Sequence, residues 1–158
     1  MTKRSTLVLL GFLLLSVAVQ AAGAWATFSE IPTWYQGLSK PDWNPPPWVF
    51  GPVWTVLYVV MAVAAWLAWR EVGLRSGALR LYFLQLLLNL LWSYLFFWGR
   101  SPFLALLDIG LLWLAIGATT LAFWRARPLA GALLLPYWGW VGFASALNFA
   151  LWRLNPGA

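Results

Sequence analysis

The sequence predicts an all-α integral membrane protein, a bundle of five transmembrane helices. Five predominantly apolar runs of about twenty residues follow one another, the length an α-helix needs to cross hydrocarbon. Breaks rich in proline or arginine separate them. With 63% of the residues hydrophobic and 9% charged, a chain of 158 residues carries more apolar surface than one soluble core hides, so lipid acts as part of the solvent. Five spans and their turns use up the chain, which reads as a single domain over residues 1–158.

The first run, residues 6–28, has no charge and is long enough, at about 34 Å as a helix, to span a bilayer. Lys3 and Arg4, the stretch Leu7 to Val19 and then Val19-Gln20-Ala21 also fit a signal peptide with its cleavage site, but the apolar run continues through Trp25 to Phe28 and favours a span. Residues 29–47 carry Pro32, Pro41, Pro45, Pro46 and Pro47, a density that cannot continue a helix and is expected to form one long external loop. The second helix is expected over 48–69, with proline tolerated at its first turn. A short basic loop precedes the third, 79–98. Gly99 to Pro102 turn the chain into the fourth, 103–124, and Arg125 to Pro128 turn it into the fifth, 129–152.

The ten Lys/Arg residues lie at helix ends rather than in a stripe, which argues against nucleic acid as a partner. Seven of them (Lys3, Arg4, Arg70, Arg75, Arg80, Arg125 and Arg127) fall on one side of the predicted bundle and three (Lys40, Arg100 and Arg153) on the other. That imbalance predicts a cytoplasmic N-terminus, and a spanning protein made of helices is expected to lodge in an inner, bacterial cell membrane. Cysteine and histidine are both absent, which removes disulfides, thiolate chemistry, imidazole bases and the commonest metal and haem ligands. No metal site and no required cofactor are expected, nor conventional hydrolytic catalysis.

Chemistry concentrates on three faces. On the third helix Tyr82, Gln85, Asn89, Trp92 and Phe96 recur at helical spacing opposite a leucine face. Buried amides need partners, so Gln85 and Asn89 point into the bundle, where interhelical bonding and ligand contact are equally open readings. The fifth helix aligns Tyr137, Trp140, Ala144, Leu147, Asn148 and Leu151, with Pro136 able to kink it. On the second, Gly51, Trp54, Tyr58, Met61 and Ala65 share a register, Gly51 leaving space beside Trp54. Asp108 lies within the fourth helix, where a carboxylate must be paired, protonated or wet. Small residues at spacing four, Ala18, Ala22 and Ala26, and Gly142, Ala146 and Ala150, mark close helix contacts within the bundle or between subunits.

The segment WYQGLSKPDWNPPPWVFGPVWTVLY, Trp34 to Tyr58, resembles the most diagnostic stretch of the TspO/MBR translocator protein family, the family of the peripheral-type benzodiazepine receptor. QLLLNLLWSYLFF from Gln85 and LPYWGWVGFASALNFALWRLN from Leu135 are similar to that family's third and fifth helices. The resemblance implies a five-helix bundle, usually a homodimer in the lipid bilayer, whose internal pocket binds porphyrins and other hydrophobic small molecules beneath the first loop. It carries Trp54 and Trp140 over as pocket tryptophans, Asn89 and Trp92 as third-helix contacts, and Gly51, Ala144 and Leu147 as lining. Trp43, Pro45 and Pro46 match the lid motif, Asp108 the fourth-helix carboxylate. Tyr58, Tyr137 and, on the first helix, Ala24 complete the expected ligand-binding set. The chain departs from animal members at Gln20, at Leu104 and in their cholesterol motif, where it has Leu147, Phe149 and Arg153; some bacterial relatives are assigned to the outer membrane.

The leading expectation is therefore binding of protoporphyrin between Trp54 and Trp140 for tetrapyrrole sensing, transport or regulation. Alternatives are a light-dependent porphyrin-degrading enzyme, with Trp54 and Trp140 as its only catalytic candidates, and a sterol or lipid transporter.

Overall fold

In the computed structural model, which describes residues 2–157, five helices are long and apolar enough to cross a membrane: α1 (Lys3–Phe28), α2 (Pro47–Val72), α3 (Gly77–Ser93), α4 (Pro102–Ala126) and α5 (Pro128–Leu154). A single π-helical turn, Tyr94–Trp98, prolongs α3, so that the third span runs over Gly77–Trp98. The protein is an all-α, multi-pass membrane protein.

The helices run two or three residues beyond the apolar segments at several ends, and their first turns explain why. The side chains of Thr2, Ser76 and Ser101 accept hydrogen bonds from the backbone amides of Ser5, Leu79 and Leu104, satisfying first-turn N–H groups that have no partner within the helix, so the helices start there. Pro47, Pro102 and Pro128 occupy first-turn positions, where the missing N–H costs nothing. At the far end of α2, Gly73 has φ 73° and ψ 166°, a backbone region essentially restricted to glycine, and this breaks the chain into the loop before α3.

One expectation is corrected. Residues 29–47 are not uniformly non-helical: Ile31–Tyr35 form a π-helical turn continued by Gln36 and Gly37. Pro32 sits at its first turn, so it starts the turn rather than breaking it. The segment 38–46, which carries Pro41, Pro45 and Pro46, is non-helical as expected.

Neighbour contacts place the helices around the bundle in the order α1, α2, α5, α4, α3 and back to α1, the α4–α5 pair being the most extensive. Small residues allow the close approaches. Ala62, Ala64, Ala65 and Ala68 of α2 are completely buried. A Cβ on Gly131 would lie 2.7 Å from the backbone of Trp124, and one on Gly117 would lie 2.8 Å from the Trp138 ring, whose Nε1 donates to the Trp113 carbonyl at 3.1 Å. Leucine, valine and tryptophan cover the outer faces, as a lipid-facing surface requires. Among the described residues each end carries one ion pair: Glu30 with Arg100 at 2.9 Å on the first-loop side, and Glu71 with Arg127 at 3.5 Å on the N-terminal side.

Candidate functional site

The polar face of α3 lies at the centre of the bundle. Gln85 and Asn89, four residues apart and so stacked on one face, are both buried. Tyr58 of α2 donates its hydroxyl to Asn89 Oδ1 at 2.9 Å, Asn89 Nδ2 donates to the Tyr137 hydroxyl of α5 at 2.7 Å, and that hydroxyl donates to Gln85 Oε1 at 2.7 Å. Three helices are thus joined by one hydrogen-bonded relay. In this conformation the Asn89 amide is engaged by the two tyrosines, so its interhelical role is realised and any ligand contact competes with it.

Beside the relay lies a void of about 10 Å³ lined by Trp54, Asn89, Trp92, Ile109, Leu112, Val141 and Ala144, drawn from α2 to α5. Pockets that hold drug-sized ligands run to roughly 300–1,000 Å³. The space holds about one water molecule, and the bundle here is closed. Trp54 packs its ring on Tyr58 and Tyr137, at centroid distances of 5.8 and 6.2 Å. Trp92 donates Nε1 to Asn148 Oδ1 at 2.9 Å, and Asn148 Nδ2 donates to the Pro102 carbonyl at 2.8 Å, fixing that indole against α4 and α5.

Trp140 is placed differently from the expectation of an open slot between two indoles. It lies outside the lining of the void, packed on Phe143 at 5.4 Å and on Phe50 of α2 at 6.1 Å. Trp43 of the first loop caps Phe143 at 5.8 Å. The physical reason is that Phe50 and Phe143, one turn from the polar stripe, fill the seam between α2 and α5. The Trp140 Nε1 is nonetheless buried with no hydrogen-bond partner, and so is Asp108 Oδ2 on α4. An unpaired indole donor and carboxylate oxygen are costly inside a membrane and stand ready to meet a polar group.

The first loop closes the same end. Trp34 and Tyr35 pack on Phe96, Tyr35 also on Phe97, and the Tyr35 hydroxyl donates to Asn44 Oδ1 at 3.3 Å. Lys40 Nζ sits 4.8 Å from the centre of the Tyr35 ring and donates to the carbonyls of Gln36 and Leu38. Burial pushes the Tyr35 phenol up, outweighing the Asn44 bond that lowers it, and burial pushes the Lys40 ammonium down. Asn155, at the end of α5, pairs with the Ser39 backbone in both directions, at 2.8 and 2.9 Å, and ties the loop to the C-terminal end.

Of the expected site residues, the structure brings Trp54, Asn89, Trp92 and Ala144 together around the void, with Tyr58 and Tyr137 one layer behind. Leu147 is buried in a neighbouring cluster with Tyr35, Phe96, Ala105 and Leu151, directly under the loop. Trp43 and Trp140 belong to the aromatic seam. Gly51 is exposed, and a Cβ there would touch nothing within 4 Å. Ala24 is half-buried on α1, outside the void lining. Ile109, Leu112, Val141, Phe50 and Phe143 went unread because aliphatic and phenylalanine residues in a span carry no polar signal; Phe143, three residues after Trp140, was the one accessible by spacing. Among the described residues no group of three or more His, Cys, Asp or Glu could hold a metal ion.

A relay of amides and phenols wrapped by indoles, at the centre of five spanning helices and under an aromatic loop, defines a polytopic α-helical membrane protein with an intrabundle aromatic site. The TspO/MBR family model matches residues 12–153, and the chain belongs to that family. It is 44% identical over 146 residues to the tryptophan-rich protein TspO of Chlorobaculum tepidum, covering 90% of this chain and 92% of that one. It is similar to the human translocator protein, 44% identical over 128 residues, 78% of this chain and 76% of the human one. To the tryptophan-rich sensory protein of Cereibacter sphaeroides it is 42% identical over 139 residues, 85% and 87% of the two chains.

Proposed function

We propose that the protein binds a flat hydrophobic small molecule, a porphyrin such as protoporphyrin IX, within the bundle, and serves in tetrapyrrole sensing, transport or regulation. The observation that carries this reading is the convergence of Trp54, Trp92, Asn89 and Ala144 on one enclosed space, sealed on the loop side by Trp43, Phe143, Trp140 and Phe50. Because that space is about 10 Å³, binding requires the α2–α5 seam to open, and the seam is held by aromatic contacts rather than by hydrogen bonds. Each ring pair exchanged for stacking on the ligand is nearly neutral, at about 0.5–1.5 kcal/mol beyond burial on either side. Opening also gives the unpaired Trp140 Nε1 a partner.

With no His or Cys, the chain offers iron neither an imidazole nor a thiolate and only poor axial ligands, so metal-free protoporphyrin is preferred to haem. The proposal includes a cytoplasmic N-terminus in a bacterial cell membrane, supported by the charge imbalance already described, and a homodimer, supported by family membership. Titration of the purified protein with protoporphyrin IX, haem and a sterol, read by tryptophan fluorescence, tests it. Saturable quenching ordered protoporphyrin before haem is expected; equal affinity for the two, with a haem spectrum of strong protein ligation, would overturn it.

A second reading, light-driven porphyrin breakdown, is favoured by the packing of Trp54 on two tyrosines, an arrangement able to pass a radical inward. Illumination of the protoporphyrin complex separates the two. Loss of the porphyrin's main absorption band that continues in Trp54→Phe and Trp140→Phe removes these residues from such a reaction.

A further inference from the structure

The N-terminal end of the bundle carries a feature that intrabundle ligand binding does not use. Between the start of α1 and the end of α2 lies an open cleft of about 730 Å³, lined by Thr2, Arg4, Ser5, Trp69, Arg70 and Gly73. Two arginines and no acid line it. Neither Arg4 nor Arg70 makes a salt bridge among the described residues, and the one acid on this side, Glu71, is taken by Arg127. The remaining basic residues of this side, Lys3, Arg75, Arg80 and Arg125, lie outside the cleft's lining.

The floor is rigid. Trp66 Nε1 donates to both the carbonyl and the hydroxyl of Ser5 at 3.1 Å, fastening the α1 start to α2, and the Arg70 guanidinium lies over the Trp66 ring at 5.1 Å. Arg70 is thereby held at the mouth without using its hydrogen-bond donors on protein acceptors. Leu7, one turn deeper into the α1 span than Arg4, is 68% exposed and offers an apolar surface on the membrane side of the arginines.

We propose that this cleft is a headgroup site for an anionic phospholipid, its phosphate held between Arg4 and Arg70 and its acyl chains lying along α1 from Leu7 inward. Basic pockets between helix ends at the membrane surface suit this chemistry, and the guanidinium fork matches a phosphate bidentately. That apolar surface selects a lipid over a free anion.

Native mass spectrometry of the full chain in detergent, titrated with phosphatidylglycerol, phosphatidylcholine or inorganic phosphate, tests it. Preferential retention of phosphatidylglycerol is expected. Removing a surface basic residue costs on the order of fivefold in lipid affinity, so Arg4→Gln with Arg70→Gln loses about 25-fold. Arg75→Gln with Arg80→Gln, the same charge removed from the same face, changes it less than about twofold if the cleft is the site. Arg4→Gln alone, an exposed side chain whose loss leaves the floor intact, gives about fivefold and covers the case in which the double variant does not fold. An equal loss in the Arg75/Arg80 variant, equal retention of phosphatidylcholine, or displacement of the lipid by phosphate at the same concentration would each overturn the proposal.

Discussion

Replacing Tyr137 with Phe removes one oxygen and strands two amide atoms. The Tyr137 hydroxyl accepts from Asn89 Nδ2 and donates to Gln85 Oε1, both at 2.7 Å, and all three residues are buried. Interhelical bonds in membranes average about 0.6 kcal/mol and reach about 1.7, while a buried polar atom left without a partner costs about 1–3 kcal/mol. Two such losses, softened where the Asn89 amide turns its Nδ2 toward the Tyr58 hydroxyl, put the variant about 1–3 kcal/mol below the parent chain. The assay is reversible unfolding in mixed micelles with a double-mutant cycle, in which Gln85→Leu and Asn89→Leu are each combined with Tyr137→Phe. The relay predicts that Tyr137→Phe costs less in the Leu backgrounds, with coupling of at least about 0.5 kcal/mol. A fully additive cycle, or a loss below about 0.3 kcal/mol for Tyr137→Phe alone, would refute the idea that these bonds hold α3 to α5.

The closed seam predicts that Trp140→Phe, which keeps the ring packing on Phe50 and Phe143 but deletes the unpaired Nε1, leaves stability unchanged or improved by up to about 1 kcal/mol while weakening protoporphyrin binding severalfold in a fluorescence titration. Gly131→Ala brings a Cβ to 2.7 Å from the Trp124 backbone and is expected to cost about 1–3 kcal/mol in thermal melts, whereas Gly110→Ala, facing open space, is neutral or stabilising. Arg100→Gln leaves the Glu30 carboxylate, whose side chain is only 10% exposed, without its charged partner, so stability falls by about 1–3 kcal/mol, while ligand association, followed by stopped flow, speeds up if the first loop gates entry. Burial raises the Tyr35 phenol in the folded loop above its ordinary 10.0, so the contribution of the neutral phenol is intact below that pH and is lost as pH rises through the folded value. Melting wild type and Tyr35→Phe from about pH 8 to about pH 11 is expected to show an alkaline loss in the former that the latter lacks.

Span number and approximate position were legible because a helix in lipid must be apolar along its whole length and each interruption is written in proline, glycine or arginine. The inward faces of α3 and α5 were legible because Gln85, Asn89 and Tyr137 are too polar to meet lipid. Three features were not. The turn at Ile31–Tyr35 was hidden because Pro32 reads as a breaker unless its position at a first turn is known. The pairing of Trp92 with Asn148 joins residues 56 apart and leaves no local mark. The fate of Trp140 depended on whether Phe50 and Phe143 fill the seam, a question of three-dimensional packing that a stripe along one helix does not pose.

The most direct test of the account is an experimental structure of the protein with protoporphyrin IX. The macrocycle should lie between α2 and α5 against Trp54, with Phe50 and Phe143 displaced and Trp140 Nε1 paired. A macrocycle resting on the lipid-facing surface, with the centre of the bundle still filled, would contradict it.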